Sequence, residues 1–153
     1  MMDNYQITNY EELRKIVVHE KSEAQKRQDQ ALIDRLYDHI DEYAKGFISK
    51  SPMVFFGTAD DAGHVDVSPK GDAPGFVEIR DKSTLLFPER QGNTDVRNLR
   101  NILKNGQVSL LFVIPGMKDV LRITGVATLT NDPVLLQRLE SCGKPAKICI
   151  CID

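Results

Sequence analysis

The chain has 153 residues, of which 41% are hydrophobic and 27% charged, with a formal net charge of −2 at pH 7; this is typical of one globular domain and excludes a disordered chain. The nearly neutral balance gives no electrostatic reason to expect a nucleic-acid or anionic-membrane partner. No apolar run reaches the roughly 18 residues of a membrane span, and the polar N-terminus lacks the apolar core of a signal peptide, so we expect a cytoplasmic location.

The first third of the chain predicts helices. Thr8-Asn-Tyr-Glu11 fits a capping box, in which a hydroxyl and a carboxylate satisfy free amides at a helix start. Apolar residues at helical spacing then predict a helix that runs from Leu32 to Ile48. Ser51-Pro52 ends it, because the residue before a proline avoids the α region. Residues 1–50 are therefore expected to form an N-terminal helical extension.

From Met53 onwards, short apolar runs separated by turn residues predict strands. The runs are 53–59, 64–68, 77–80, 84–87, 108–114, 120–129 and 146–152. Turns about every eight to twelve residues favour a barrel or sandwich over repeated βαβ units. Asp95–Asn105 and the segment from Asp132 to Ser141 predict two more helices. Residues 51–153 are thus expected to form a mainly β domain with helices, of the α+β class.

The three cysteines, Cys142, Cys149 and Cys151, do not predict a disulfide scaffold or a metal site, because their number is odd and zinc-site spacing is lacking. Cys149 and Cys151 would share one face of the last strand as small apolar fillers. The sequence stops inside this strand pattern. A domain that ends on an edge strand and a truncated form are both open alternatives.

The segment Val65–Asp72 places polar groups at a strand end. Val65 and Val67 would point to one side of the strand, and Asp66 and Ser68 to the other. Pro69 lacks an amide hydrogen and is expected to stop regular pairing before Lys70-Gly-Asp72 leaves the strand. A ligand could approach here, although the segment by itself also fits a solvated hairpin end.

The segment Phe87–Arg97 joins a strand end to a helix start through Gly92-Asn-Thr94. Free amides and the positive dipole end at a helix N-terminus favour a phosphate. The arginines near that point in sequence are Arg90, Arg97 and Arg100. Arginine matches phosphate oxygens with paired donors, while an ordinary capped helix with surface arginines is the alternative. Together with Lys70, the two segments predict an anion site with apolar walls.

No combination of nucleophile and base stands out in the sequence. His19, His39 and His64 are interpreted as surface or hydrogen-bonded residues rather than as catalysts. A dinucleotide fingerprint and a P-loop are both lacking. Any redox chemistry would therefore come from a bound cofactor.

Six segments follow one another in a specific order and spacing. They are Phe47-Ile-Ser-Lys-Ser-Pro52, Asp66-Val-Ser-Pro-Lys-Gly-Asp72 with Pro74-Gly-Phe-Val77, Phe87-Pro-Glu-Arg-Gln-Gly-Asn93, Asn98-Leu-Arg-Asn-Ile102, Leu111-Phe-Val-Ile-Pro-Gly116 and Leu121-Arg-Ile-Thr-Gly125. In these segments the chain resembles the pyridoxamine phosphate oxidase-related, FMN-binding split-barrel family. Within it, the chain is most similar to the FMN-dependent branch with an N-terminal helical extension.

The resemblance implies a six-stranded antiparallel split β-barrel that forms a homodimer, with FMN in clefts at the dimer interface. The residues that the resemblance places on the flavin ring and ribityl chain are Val67, Ser68, Pro69 and Lys70. Those that it places near the phosphate and the following helix are Phe87, Arg90, Asn93, Thr94 and Arg97. Arg122 would lie on a strand near the interface, within reach of the partner's flavin.

The function implied by this resemblance is that of an FMN-dependent oxidoreductase whose substrate the sequence does not identify. One alternative is a module without catalysis that sequesters flavin or holds haem or deazaflavin. Another is a truncated, inactive form.

Overall fold

The computed structural model describes residues 6–17, 27, 37–90, 96–141, 143 and 145–153. The chain divides into two compact units, residues 1–37 and residues 38–153. The first unit contains helix α1 (Tyr10–Val17), and every other described element belongs to the second. Asn9, rather than Thr8, supplies the side-chain contact at the start of α1, because its Oδ1 accepts the Glu12 amide at 2.9 Å. No helix in the described ranges is long and apolar enough to cross a membrane.

The predicted helix from Leu32 to Ile48 is wrong in its middle, where the chain bends between Tyr37 and Asp41. A new helix, α2 (Glu42–Ile48), begins after this bend. Asp41 caps it, since its Oδ1 accepts the Ala44 amide at 2.7 Å. A local carboxylate cap therefore overrides a continuous apolar periodicity, and the part of the predicted helix before Tyr37 lies outside the described residues.

The second unit is built on a seven-stranded antiparallel sheet in the order β2-β1-β5-β6-β7-β4-β3. The strands are β1 (Met53–Ala59), β2 (Val65–Gly71), β3 (Glu78–Ile79), β4 (Leu85–Glu89), β5 (Gln107–Val113), β6 (Val120–Thr130) and β7 (Ile148–Ile152). Two further helices are α3 (Arg97–Lys104) and α4 (Pro133–Arg138). The seven predicted strand runs all contain a strand, whereas the resemblance implied a six-stranded barrel; β3, within the run 77–80, has only two residues. The mainly β, split-barrel prediction is confirmed.

Strand β2 continues through Pro69, which pairs with Phe55 of β1. The prediction that Pro69 stops regular pairing is therefore wrong. The reason is the position of β2 at the edge of the sheet, where a residue without an amide hydrogen is tolerated. The strand is consequently long enough to carry Lys70 within the paired region.

The two faces of β2 differ as the alternation predicts. Asp66, Ser68 and Lys70 are half-buried, whereas Val65 and Val67 are exposed. Paired residues in a sheet share a face, so the polar row of β2 continues the buried face of β1, which carries Val54, Phe56 and Thr58. This places a row of polar side chains beside the hydrophobic core.

The main core lies between the sheet and the helices α2 and α3. It includes Phe47 and Ile48 of α2, Ile102 of α3 and the inward side chains of the strands. Phe87 of β4 is fully buried there, with its ring centroid 5.0 Å from that of Phe56 and 5.5 Å from that of Phe76. These edge-to-face contacts fix the end of β4 against β1.

Strand β7 is an interior strand, which overturns the alternative that the sequence stops on an edge strand. It pairs with β4 on one side and with the end of β6 on the other. Cys149 is fully buried against Leu86, Leu139 and Ala146, and the half-buried Cys151 packs on the same cluster. The two thiols thus share one face as predicted and fill apolar space under α4.

Candidate ligand-binding cleft

A cleft of about 650 Å³ lies between the polar face of β2, the end of β4 and the start of α3. Strand β2 and the residue after it contribute one wall, from Asp66 to Asp72. The segments Pro88–Arg90 and Val96–Leu99 form the facing wall. Pockets for small molecules commonly have volumes of 300–1,000 Å³, so the cleft can hold a cofactor or substrate.

Lys70 and Glu89 form the central ion pair of this cleft. Lys70 Nζ donates to Glu89 Oε2 at 2.8 Å and to Oε1 at 3.0 Å. Each side chain is only 17% exposed. The carboxylate therefore offsets the charge that Lys70 contributes to the predicted anion site.

Arg90 is fixed by a second pair of contacts. Its Nε donates to Asp72 Oδ2 at 2.6 Å, and its Nη2 donates to the carbonyl of Leu139 at 2.7 Å. Burial works against ionisation of Asp72, but hydrogen bonds from the Ala73 amide, the Arg90 guanidinium and the Ser141 hydroxyl outweigh it. The pKa of Asp72 is consequently held below its usual range, and the carboxylate stays charged beside Arg90.

The start of α3 forms the third part of the cleft. Arg97 Nη1 lies 3.4 Å from Asp66 Oδ1 across the cleft, in a more exposed pair than the other two. Val96 lies at the N-cap position of α3, and its side chain makes no hydrogen bond to the first amides of the helix. Unsatisfied amides at a helix start attract negative charge.

Asn98, the second residue of α3, carries a buried polar atom without a partner. The residue is only 3% exposed and lines the cleft. Its Oδ1 accepts the Leu99 amide at 3.0 Å, but its Nδ2 has no hydrogen-bond partner within the described ranges. Buried amide groups are nearly always hydrogen-bonded, so this donor stands out as a group that a ligand could satisfy.

The charges around the cleft come from four basic and three acidic residues among those described. The basic residues are Lys70, Arg90, Arg97 and Lys147, and the acidic residues are Asp66, Asp72 and Glu89. The resulting excess of one positive charge favours an anion. Apolar side chains, including Phe76, Leu99 and Ile148, line the same space and suit a flat ring system.

The structure brings five of the residues predicted for the site into this cleft. They are Ser68, Pro69, Lys70, Arg90 and Arg97. Asn93 and Thr94 lie outside the described residues.

Three other predicted residues do not line the cleft of their own chain. Val67 faces the opposite side of β2, because side chains alternate along a strand. Phe87 is fully buried in the core, so it contacts Phe56 and Phe76 rather than a ligand in the cleft. Arg122 is exposed on the face of β6 that points away from the core.

Sequence analysis missed four groups that shape the cleft. Glu89 and Asp72 pair with cations 19 and 18 positions away in the chain, and such pairing has no local signal. Asn98 belongs to a segment on which the family resemblance rested, but nothing in the sequence shows that its amide is buried without a partner. Lys147 lines the cleft because its backbone amide, just before β7, donates to the carbonyl of Glu89 at 2.9 Å.

The chain is thus an antiparallel split barrel with a charged cleft of partly apolar walls beside an edge strand. The family model of pyridoxamine 5'-phosphate oxidase matches residues 40–147, and the chain belongs to this family. No curated protein matches the sequence.

Solved structures with the same fold are distant in sequence. HupZ of Group A Streptococcus is 20% identical with a TM-score of 0.61, and the match covers 74% of this chain and 92% of that chain. A candidate pyridoxamine 5'-phosphate oxidase of Lactobacillus delbrueckii is 18% identical with a TM-score of 0.60, covering 78% and 93%. HutZ, the heme storage protein of Vibrio cholerae, is 17% identical with a TM-score of 0.50, covering 74% and 87%. At these identities the likeness establishes the fold alone.

Proposed function

We propose that this chain binds FMN in the cleft beside β2 and acts as an FMN-dependent oxidoreductase. The observation that carries the proposal is the convergence of Lys70, Arg90 and Arg97, from two separate sequence segments, on one cleft with apolar walls. Arginine and lysine bind phosphate, and the apolar walls suit the flavin ring. Membership of the pyridoxamine 5'-phosphate oxidase family supports the same cofactor.

The residues of the cleft fit FMN by their chemistry. Arg97 and the positive end of α3 would hold the phosphate, because both present donors and positive charge. Lys70 and Ser68 on β2 would contact the polar edge of the flavin and its ribityl chain. Phe76 and Leu99 would cover its apolar surface.

Bound FMN would supply the electron transfer, and the protein would supply orientation and electrostatics. Glu89 and Asp72 keep Lys70 and Arg90 at fixed positions in the absence of a ligand. Fixed donors need little reorganisation when a ligand enters. The same carboxylates weaken the attraction for an anion, so we expect moderate rather than tight binding of FMN.

Binding can be tested by titrating FMN and following the quenching of its fluorescence. Lys70→Gln should weaken FMN binding about tenfold, because it removes a charged donor. Lys104→Gln is the matched control, since Lys104 also pairs with a carboxylate, Asp61, but lies outside the cleft. A wild-type chain that does not bind FMN, or equal affinities in the two variants, would refute the proposal.

We also propose that a second copy of the chain covers the outer face of the sheet. On β1 and β6, Met53, Phe55, Val120 and Val126 are exposed on this face, and Val67 of β2 adds to it. Antiparallel sheets with one solvated face normally carry polar residues there, so the apolar surface needs a partner. Because β2 borders both this face and the cleft, the partner would lie beside the cleft and close to Arg122.

Light scattering coupled to size-exclusion chromatography tests the homodimer. Phe55→Glu should give a monomer, because it places a charge in the middle of the apolar face. Leu103→Glu is the control, since Leu103 is an exposed apolar residue on α3, away from that face. A monomeric wild-type chain, or a dimeric Phe55→Glu variant, would refute this assignment.

Haem is the alternative ligand, since HutZ is described as a heme storage protein. Haem iron is usually held by His, Cys, Met or Tyr. The described lining of the cleft contains none of these residues. A hemin titration of the same preparation therefore serves as the comparison, and tighter binding of hemin than of FMN would favour storage over flavin chemistry.

A further inference from the structure

We propose that Asn98 is a ligand-binding residue whose Nδ2 donates a hydrogen bond to an oxyanion held at the start of α3. This proposal rests on the proposed function only because it takes that oxyanion to be the phosphate of FMN. Asn98 lies in one of the segments on which the family resemblance rests. Its function follows from the combination of burial, an unpaired donor and a place in the cleft wall.

The first step is the cost of the unpaired amide. A buried donor that has lost its water without gaining a partner destabilises the folded chain. Asn98 is 3% exposed, and its Nδ2 has no partner within the described ranges. The Oδ1 of Asn98 serves the Leu99 amide at 3.0 Å, but nothing in the described ranges uses Nδ2, so this nitrogen is best explained by a bond that forms when the cleft is filled.

The second step is the chemistry of the groups around Asn98. Nδ2 can only donate, and so can the first amides of α3 and the guanidinium of Arg97. A set of donors at the positive end of a helix selects an acceptor that carries negative charge. Asp66 balances Arg97 from across the cleft at 3.4 Å, whereas the neutral amide of Asn98 supplies a donor that makes no hydrogen bond to a carboxylate of the described residues.

The third step is a comparison within the same helix. Asn101 lies one turn further on and is also buried, at 7% exposure. Its Nδ2 donates to Thr58 Oγ1 at 3.0 Å, and it does not line the cleft. The amide nitrogen of Asn101 is therefore engaged in a structural bond, whereas Asn98 uses only its oxygen, for the Leu99 amide, and has its donor available to the ligand.

This pair provides a matched experiment. Asn98→Leu should weaken FMN binding about tenfold to a hundredfold, as expected for loss of a hydrogen bond to a charged group. Its ligand-free melting temperature should fall less than that of Asn101→Leu, because removal of the unsatisfied donor offsets the loss of the Oδ1 acceptor of the Leu99 amide. Asn101→Leu should lower the melting temperature, since Thr58 loses its partner, and leave the dissociation constant of FMN unchanged.

A second variant and a second probe keep the outcomes distinct. Asn98→Asp retains an oxygen for the Leu99 amide and should lose FMN binding, because a carboxylate repels the phosphate. The thermal shift caused by inorganic phosphate should decrease in both Asn98 variants. If the wild type ignores FMN but shows this phosphate response, the role of Asn98 stands and the FMN proposal falls.

Three results would overturn the role of Asn98. One is FMN and phosphate binding by Asn98→Leu that equals that of the wild type. Another is destabilisation by Asn98→Leu as large as that by Asn101→Leu, which would show a structural role. The third is a wild-type chain that responds to neither FMN nor inorganic phosphate, which would overturn both proposals.

Discussion

Replacing Glu89 by glutamine should destabilise the protein while it strengthens the binding of an anion. Glu89 accepts two hydrogen bonds from Lys70, and both side chains are 17% exposed. Hydrogen bonds to charged groups contribute about 1.5–3 kcal/mol, whereas exposed ion pairs contribute about 0–1 kcal/mol. Glutamine keeps one acceptor oxygen, so we expect Glu89→Gln to lower the free energy of unfolding by about 1–2 kcal/mol.

The expected gain in affinity has the same origin. Without the carboxylate, the charge of Lys70 is available to a ligand anion, and one charge-assisted hydrogen bond corresponds to about tenfold in affinity. The gain should be larger for FMN than for riboflavin, because Glu89→Gln also removes a negative charge from the cleft that holds the phosphate. Opposite effects on stability and on affinity are therefore expected from one substitution.

Urea unfolding and FMN fluorescence titration measure the two effects. Asp61→Asn is the control, because Asp61 pairs with Lys104 at 3.1 Å on the surface, where the two side chains are 64% and 50% exposed. This control should change neither stability nor affinity. If Glu89→Gln behaves like Asp61→Asn in both assays, then Glu89 does not neutralise Lys70 and the charge balance assigned to the cleft is wrong.

Three other predictions follow from burial, charge and backbone packing. Burial raises the pKa of the Cys149 thiol to about 12, and the neighbouring Cys151 contributes to this shift. Iodoacetamide at about pH 8 should therefore label Cys151 and spare Cys149. Equal labelling of the two cysteines in site-resolved mass spectrometry would contradict this prediction. The pKa of Asp72 is lowered in the folded state, so its contribution to stability is complete above about pH 4 and is lost as the pH falls through the folded-state pKa. The free energy of unfolding in urea should therefore change less between pH 7 and pH 3 for Asp72→Asn than for the wild type. An identical pH dependence in the two proteins would contradict this prediction. A Cβ on Gly125 would lie 2.5 Å from the backbone oxygen of Asp153, so Gly125→Ala should lower the free energy of unfolding by about 1–3 kcal/mol. A Cβ on Gly46 in α2 would meet no atom within 4 Å, so Gly46→Ala should raise the free energy of unfolding by about 0.5–1 kcal/mol. Urea midpoints of the two variants that move in the same direction would refute this pair of predictions.

The sequence predicted the elements whose signals are local. β1 and β5 lie where apolar runs between turn residues predicted strands, and α4 begins where Asp132-Pro133 indicates. The exposure of one face of β1 has no signal in its sequence, because residues 53–56 are all apolar. The break before α2 was missed because the apolar spacing from Leu32 to Ile48 is continuous across it. The extension of β2 through Pro69 was missed because a proline is tolerated only at a sheet edge, and edge position depends on the whole topology.

The candidate site was predictable in its cations but not in their partners. Lys70, Arg90 and Arg97 stand out by residue type beside a strand end and a helix start. The carboxylates of Glu89 and Asp72 meet them only after β2 and β4 are brought together. The unpaired amide of Asn98 depends on packing around every atom of its side chain, which a residue pattern does not encode.

The position of β7 has a consequence for how quickly the chain folds. β7 lies between β4 and the end of β6 in the sheet. Its pairing with β4 places Leu85 opposite Ile152, two residues that are far apart in the sequence. Such pairings between distant segments require large loops to close before any contact compensates for the lost entropy. Folding should therefore take milliseconds to seconds, as in other domains dominated by non-local strand pairing. The amides of β4 that face β7 should gain hydrogen-exchange protection only when β7 pairs with β4.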